Sequence, residues 1–72
     1  MSNRSDSALL LDISNAAHNI AKFIEGMSEN EFRSDLKTPA AVQHQLLLIG
    51  EAVKRLSPNF RKLFPSIQWN AI

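Results

Sequence analysis

Two histidines are the side chains in this sequence best suited to proton transfer or metal binding at neutral pH. His18 and His44 lie in separate segments, and neither belongs to a His-x-x-x-His or Glu-x-x-His pattern that would gather metal ligands on one helical face. His18 falls on the polar side of its segment, which is typical of a solvated residue. His44 lies beside Ala40 and Leu47, where an interface role and simple exposure are both open. We therefore predict no catalytic histidine, metal site or cofactor.

Glu51 and Arg55 are a second candidate for chemistry, because they interrupt a strongly apolar segment directly after Gly50. Four residues apart, they lie on one helical face, where such a pair stabilises a helix by about 0.2–0.5 kcal/mol. Alternatively, Gly50 allows another helix to approach closely, and Glu51 holds a polar group of that helix. Under this second reading, Glu51 and Arg55 are possible supporting polar residues of a site.

A basic stretch near the end of the chain is the third candidate. Its cations have no acid between them, and aromatic rings are interleaved: Lys54, Arg55, Phe60, Arg61, Lys62 and Phe64. Such a stretch can follow a phosphate backbone while the rings stack on bases, which makes Lys54, Arg61 and Lys62 possible RNA contacts. The alternative is a solvated basic face, with the phenylalanines in the core.

Helices must position all of these residues, and the sequence marks where the first two begin. Ser5 or Asp6 can cap a first helix, in which apolar residues recur at steps of four and three until Gly26 ends it. Ser28 followed by Glu31 has the spacing of a capping box, which predicts a short second helix to about residue 34.

The second half of the chain repeats one device, a hydroxyl residue followed by proline. Thr38 is the predicted N-cap of a second long helix, with Pro39 in its first position and an end near Leu56. Ser57 and Pro58 repeat the pattern for a short helix that must end before the proline at position 65.

Matching apolar stripes on the two long helices predict an all-α fold, an antiparallel helical hairpin with short accessory helices. The predicted centre of the hairpin consists of Leu9, Ile13, Ile20, Phe23, Val42, Leu46, Ile49 and Val53. Two helices cannot cover both flanks of stripes this wide, so we also expect the chain to form a homodimer.

Composition narrows the class of protein further. The chain has 72 residues, enough for one small domain, and its 8 basic and 7 acidic residues give a net charge of only +1. It has no cysteine, its first residues lack the apolar core of a signal peptide, and no apolar run is long enough to span a bilayer. These features favour a cytoplasmic protein without membrane association.

The order of several segments resembles the HepT-like toxins of the HEPN superfamily, from about Leu9 to Ile72. The resemblance is strongest in Ile49-Gly50-Glu51-Ala52, in Lys54-Arg55-Leu56 and in Pro65-x-Ile67-x-Trp69-x-x-Ile72. It implies that residues 1–72 are the N-terminal part of a single HepT-like domain, a partial HEPN-type helical bundle that dimerises.

The resemblance also implies a function, the toxin of a toxin–antitoxin pair that cleaves RNA without a metal. The implied partner is a minimal nucleotidyltransferase antitoxin, which in related systems adenylylates a toxin tyrosine. The family's catalytic motif is an arginine, four to six residues and a histidine, on the helix that begins at the tryptophan. This sequence has no tyrosine and no such pair. We therefore expect a chain truncated before the catalytic helix, inactive by itself, whose full-length parent is the ribonuclease.

Two other functions stay open from the sequence. The chain can be a non-catalytic helical module that dimerises or binds an antitoxin through its apolar stripe. It can also be a small RNA-binding domain that uses the basic stretch between Lys54 and Lys62.

Overall fold

The computed structural model describes residues 4–71, which are helical apart from short connections. The helices are α1 (Asp6–Ile24), α2 (Glu29–Ser34), α3 (Thr38–Arg55) and α4 (Pro58–Lys62), and a 3₁₀ turn follows at Trp69–Ala71. No β-strand occurs in the described range, so the all-α prediction is confirmed. Nor does any helix there have the length and hydropathy needed to cross a membrane. Ile72, the last residue of the family-like segment, lies outside the described residues.

The predicted ends of α1 and the start of α2 are confirmed. The Ser5 hydroxyl accepts a hydrogen bond from the Ala8 N–H (3.1 Å), and Gly26 after the helix has a φ of 75°, which favours glycine. At α2, the Ser28 hydroxyl accepts from the Glu31 N–H (3.1 Å), while the Glu31 carboxylate accepts from the Ser28 N–H (3.0 Å). These hydrogen bonds lower the pKa of Glu31, as a reciprocal capping box requires.

The predicted cap of α3 is wrong. Thr38 is already helical, and Lys37 precedes the helix without a side-chain capping bond. The Thr38 hydroxyl instead donates to the carboxylate of Asp35, which also accepts from the Lys37 N–H (2.9 Å). Asp35 thus organises the connection, and its pKa is lowered chiefly by the Thr38 hydroxyl. The Thr38 hydroxyl, which we predicted to cap α3, is bound to Asp35 instead.

α1 and α3 pack against each other in antiparallel orientation, which confirms the hairpin. The Asp6 carboxylate at the start of α1 bonds to Ser57, just beyond α3, and Asn19 near the other end of α1 bonds to Gln45. The start of α1 therefore lies beside the end of α3, and the end of α1 lies beside the first half of α3, which makes the two helices antiparallel.

The core is small and lies near the Asp6 end of the hairpin. Its buried residues are Leu9, Ala16, Ala52, Val53 and Leu56, with Ile13, Phe60 and Trp69 packed beside them. Leu9 is only 2% exposed. Two predicted core residues are placed differently: Leu46 is 55% exposed and Phe23 is 39% exposed. The prediction that both lie at the centre of the hairpin is therefore wrong for the single chain.

The inner face of α3 explains the misplacement of Leu46. The residues at helical spacing that turn towards α1 are Val42, Gln45, Ile49, Ala52 and Leu56. This row has the same alternation of three and four as the predicted row, but it has Gln45 in place of Leu46 and Ala52 in place of Val53. Val53, a predicted core residue, is nevertheless buried beside the row. The Gln45 amide is accommodated because the Asn19 amide donates to it (3.3 Å). Ala52 packs at the centre of the contact because it is small.

A polar clasp closes the hairpin where α3 passes into α4. The Asp6 carboxylate accepts hydrogen bonds from the Ser57 N–H (2.9 Å) and hydroxyl (2.6 Å). The same hydroxyl accepts from the Phe60 N–H (3.0 Å), so Ser57 also caps α4, as predicted. One serine therefore joins the starts of α1 and α4.

Substitution of Leu9 tests the location of the core. Leu9→Ala removes a fully buried side chain and should lower the free energy of unfolding by about 2–5 kcal/mol. Leu11→Ala, two residues away and 58% exposed, is the matched control and should change it little. Chemical denaturation monitored by circular dichroism measures both. Similar losses in the two variants would contradict the assigned face of α1.

The clasp predicts a dependence of stability on pH. Hydrogen bonds from the Ser57 hydroxyl and N–H lower the pKa of Asp6 below its ordinary value of 3.8. A lowered pKa in the folded state stabilises the fold above the unfolded value, and that stabilisation is lost as pH falls through the folded value. Asp6→Asn should lower the Tm at neutral pH, and its difference from wild type should vanish in strong acid. Glu25→Gln, at an exposed carboxyl, should leave the profile unchanged; a constant Asp6→Asn deficit at every pH would contradict this account.

Candidate functional site

A polar groove of about 260 Å³ runs along one side of the hairpin, between α1 and α3. The polar side chains that line it are Asp12, Asn15 and Asn19 from α1, and Gln45, Glu51 and Arg55 from α3. Steps of three and four keep Asp12, Asn15 and Asn19 on one side of α1, and Glu51 and Arg55 are one turn apart on α3. Gln45 lies about 120° around α3 from Glu51, towards α1.

Small residues create the groove. Ala16 and Ala52 are buried at its base, next to Leu9. Because neither alanine extends beyond its Cβ, the longer polar residues on either side stand above an apolar floor. A bulky residue at either position would fill this space, so the groove follows directly from the two alanines.

The side chains at the rim are partly engaged with each other. The Asn19 amide donates to Gln45 across the groove, and Arg4 forms an ion pair with Asp12 (2.8 Å). The Arg4–Asp12 pair is exposed and therefore contributes little to stability. The groove thus retains Asn15, Glu51 and Arg55 as its polar side chains outside these two contacts.

Glu51 and Arg55 line the groove together, but they do not form the ion pair that their spacing favours. Within residues 4–71 the ion pairs join Arg4 to Asp12 and Arg33 to Glu29. The alternative, close approach of another helix at Gly50, also finds no partner within the described chain, because a Cβ there would have nothing within 4 Å. The two side chains offer a carboxylate acceptor and a phosphate-binding guanidinium, one turn apart and exposed.

The two histidines lie on different helices, and neither lines the groove. His18 on α1 is exposed, as predicted, and His44 is exposed on the outer side of α3, beside Ala40 and Leu47. In the described part of the chain, no three His, Cys, Asp or Glu residues are grouped so that they could hold a metal ion. Neither histidine is therefore positioned to act with Glu51 or Arg55 within one chain.

The structure separates the basic stretch into parts with different surroundings. Lys54 and Lys62 are exposed, and Arg55 lines the groove. Arg61 turns inwards, where its guanidinium donates to the carbonyls of Val53 and Lys54 (both 3.0 Å) and lies 5.9 Å from the centre of the Trp69 ring. Arg61 therefore caps the C-terminal end of α3, while the two lysines are accessible to a polyanion.

The aromatic residues near the basic stretch have structural roles. Phe60 packs on the buried cluster around Leu9, and the Trp69 ring meets its edge at a centroid distance of 6.3 Å. The indole N–H of Trp69 donates to the carbonyls of Arg61 and Phe64 (both 3.2 Å). These contacts dock the 3₁₀ turn on α4 and favour the core reading of Phe60 over base stacking.

Several groove residues were not identified by sequence reasoning. Asn15 and Asn19 stand four residues apart on one face of α1, with Asp12 one turn earlier, and Gln45 interrupts the inner row of α3. The sequence signal that could have identified Gln45 is the presence of a polar residue within a row of apolar residues. The Arg61 cap had no local signal, because it depends on the turn at Ser57 that brings α4 back to the end of α3.

Comparison with known proteins gives a consistent set of relatives. A family model described as ribonuclease HepT-like matches residues 13–72. A Methanocaldococcus jannaschii protein, provisionally named an RNase, is 35% identical over 69 residues, which cover 96% of this chain and 63% of that protein. A Thermococcus cleftensis protein, named a probable ribonuclease HepT, is 38% identical over 66 residues, or 92% of this chain and 60% of that protein.

A second Methanocaldococcus jannaschii protein, also provisionally named an RNase, is 38% identical over 65 residues and is covered to 54% of its length. The chain therefore spans roughly three-fifths of the length of these relatives. No solved structure shows a significant match to the chain.

Replacement by alanine should affect stability differently at the neighbouring residues Arg61 and Lys62. Arg61→Ala removes the donor from two carbonyls at the end of α3 and should lower the free energy of unfolding by about 1–3 kcal/mol. Lys62→Ala, at the exposed neighbouring position, should leave stability nearly unchanged. Denaturant titrations of the two variants compare them directly. Equal stability of the Arg61→Ala and Lys62→Ala variants would contradict the assignment of Arg61 as a cap of α3.

Proposed function

Because this chain belongs to the ribonuclease HepT-like family of the HEPN superfamily, we propose that residues 1–72 form the N-terminal part of an RNA-cleaving toxin domain. The observation that carries the proposal is the family match over residues 13–72, which begins within α1 and includes α2, α3, α4 and the turn at Trp69. The names of three relatives as ribonucleases support the reaction class.

The chemistry of RNA cleavage indicates what this chain lacks. Cleavage without a metal needs a group that moves a proton at the 2′-hydroxyl and a cation that stabilises charge on the phosphate. The resemblance assigns both to an arginine and histidine separated by four to six residues, and no such pair occurs in the 72 residues. We therefore propose that residues 1–72 are a scaffold that does not cleave RNA by itself.

The hairpin contributes supporting groups rather than catalytic ones. Glu51 and Arg55 line the groove with a hydrogen-bond acceptor and a cation, and we assign them the supporting polar role. Lys54 and Lys62 are exposed and suited to non-specific contact with the RNA backbone. Arg61 was the third predicted RNA contact, but its guanidinium is engaged at the end of α3, so we give the RNA-contacting role to the lysines.

The proposed partners are a second copy of the chain and a minimal nucleotidyltransferase antitoxin, in the cytoplasm. Exposed leucines in the middle of α3 support self-association: Leu47 and Leu48. A chain this short buries only about 60% of its unfolded surface, so covering these side chains would add needed stability. The antitoxin follows from the family resemblance, and the absence of tyrosine means that adenylyl transfer to tyrosine cannot occur on these residues.

Incubation with total cellular RNA tests the proposal. The 72-residue chain should leave RNA intact, whereas a version extended through a helix with the arginine–histidine motif should cleave it in the presence of EDTA. General acid–base groups typically contribute about 10²–10⁴-fold, and phosphate stabilisation adds to this, so loss of both should reduce cleavage to background. The full-length Thermococcus cleftensis relative provides the comparison.

Two outcomes would contradict the proposal. Cleavage by the 72-residue chain that disappears in His44→Ala would place the chemistry within the scaffold. An extended protein that never cleaves RNA, but binds its antitoxin, would favour the alternative of a non-catalytic interaction module.

A further inference from the structure

One face of α3 extends from the outer side of the helix to the rim of the groove, and the spacing of its side chains is the same in both directions along the helix. From the start of the helix to its end, the steps between them are four, three, one, three and four residues: Ala40, His44, Leu47, Leu48, Glu51 and Arg55. At 100° per residue they occupy a stripe about 100° wide. Each of the six is exposed in the single chain. This stripe, called the α3 stripe below, has nothing covering it among residues 4–71.

A palindromic stripe is complementary to itself. If two α3 helices lie antiparallel with a twofold axis between Leu47 and Leu48, these leucines meet those of the other copy at the centre. His44 of each helix then faces Glu51 of the partner subunit, and the small Ala40 leaves room for the long Arg55 of the partner subunit. A twofold contact repeats each pairing, so the arrangement yields a leucine centre and two histidine–carboxylate pairs.

The side chains at these positions are available for such contacts. Leu47 and Leu48 are 59% and 41% exposed, and the Glu51 carboxylate has no ion-pair partner among the described residues. The outer face of α1 differs, since it presents Leu11 among His18, Lys22 and Glu25 and has no comparable pair of adjacent leucines. Hydrogen-bonding complementarity between a histidine and a carboxylate therefore coincides with apolar area on α3.

We propose that the α3 stripe is the surface through which two copies of this chain associate, with their α3 helices antiparallel. This inference rests on the dimer that forms part of the proposed function, and it names the contact that makes it. The pairing gives exposed His44 a role as a partner of Glu51 in the second copy. It also places both copies of Glu51 and Arg55 beside the shared interface, where each groove opens.

Charge exchange between positions 44 and 51 tests the pairing. His44→Glu puts two carboxylates opposite each other at both pairs, and should raise the dimer dissociation constant at least about tenfold, as Glu51→Lys should to a smaller extent. The double variant His44→Glu/Glu51→Lys restores opposite charges with reversed polarity and should recover most of the affinity. Sedimentation equilibrium measures the constants, and circular dichroism confirms that each variant is helical.

Matched controls separate the surface from general effects of charge. His18→Glu makes the same charge change on α1 and should leave the dissociation constant unchanged. Leu47→Asp should dissociate the dimer, whereas Leu11→Asp, at a residue of nearly equal exposure (58% against 59%), should not.

Three results would overturn the inference. A double variant as weak as His44→Glu would exclude the pairing. Dissociation by Leu10→Asp or Leu46→Asp but not by Leu47→Asp would keep the dimer and move it to the opposite flank of the hairpin. A folded wild-type chain that is monomeric at all accessible concentrations would reject both the surface and the dimer, without bearing on RNA cleavage by an extended protein.

Discussion

Packing of Leu9 against Ala52 and Leu56 is the contact on which the rest of this small fold depends. Five hydrophobic side chains are buried in the described chain, and three of them form this cluster. Asp6 and Ser57 lie next to this cluster and close the hairpin with hydrogen bonds across 51 positions of sequence. The short α4 then completes the cluster with Phe60.

The use of small residues at this contact has consequences on the outside of the hairpin. Alanines at positions 16 and 52 bring the helices together and leave a groove above them, into which polar side chains project. The larger leucines of α3 cannot all face α1, so Leu46, Leu47 and Leu48 are displayed to the outside. A tight seam of small residues thus gives the chain both a polar groove and surfaces for another protein.

Much of this architecture could be predicted because its signals are local. Caps at Ser5, Ser28 and Ser57, the glycine after α1 and the apolar periods define helices within a few residues of their observed bounds. Hydrophobic size was a poorer guide to orientation, since it favoured Leu46 over the inward-facing Gln45. Whether Leu46 or Gln45 faces inwards depends on which residue of α1 lies opposite. The sequence of α3 alone does not contain that information.

The site was less predictable for a related physical reason. Glu51 and Arg55 were recognised as candidates, yet their helical spacing suggested an ion pair, and the structure instead leaves both on the rim of a groove shared with α1. Arg61 looked like a surface cation, because its partners are backbone carbonyls that have no sequence signature. Residues whose roles come from tertiary contacts require the arrangement of helices before their chemistry can be assigned.

The orientation of α3 decides the rest of the structure: Ala52 and Leu56 face Leu9, and the leucine-rich middle of the helix faces away from α1. Nuclear Overhauser effects between methyl groups of selectively labelled chains measure this directly, with mixed labelling to separate contacts within one chain from contacts between copies. We expect contacts within one chain from Leu9 to Ala52 and Leu56. Contacts within one chain from Leu46 to Ile13 or Ile20, without those of Leu9, would contradict this orientation.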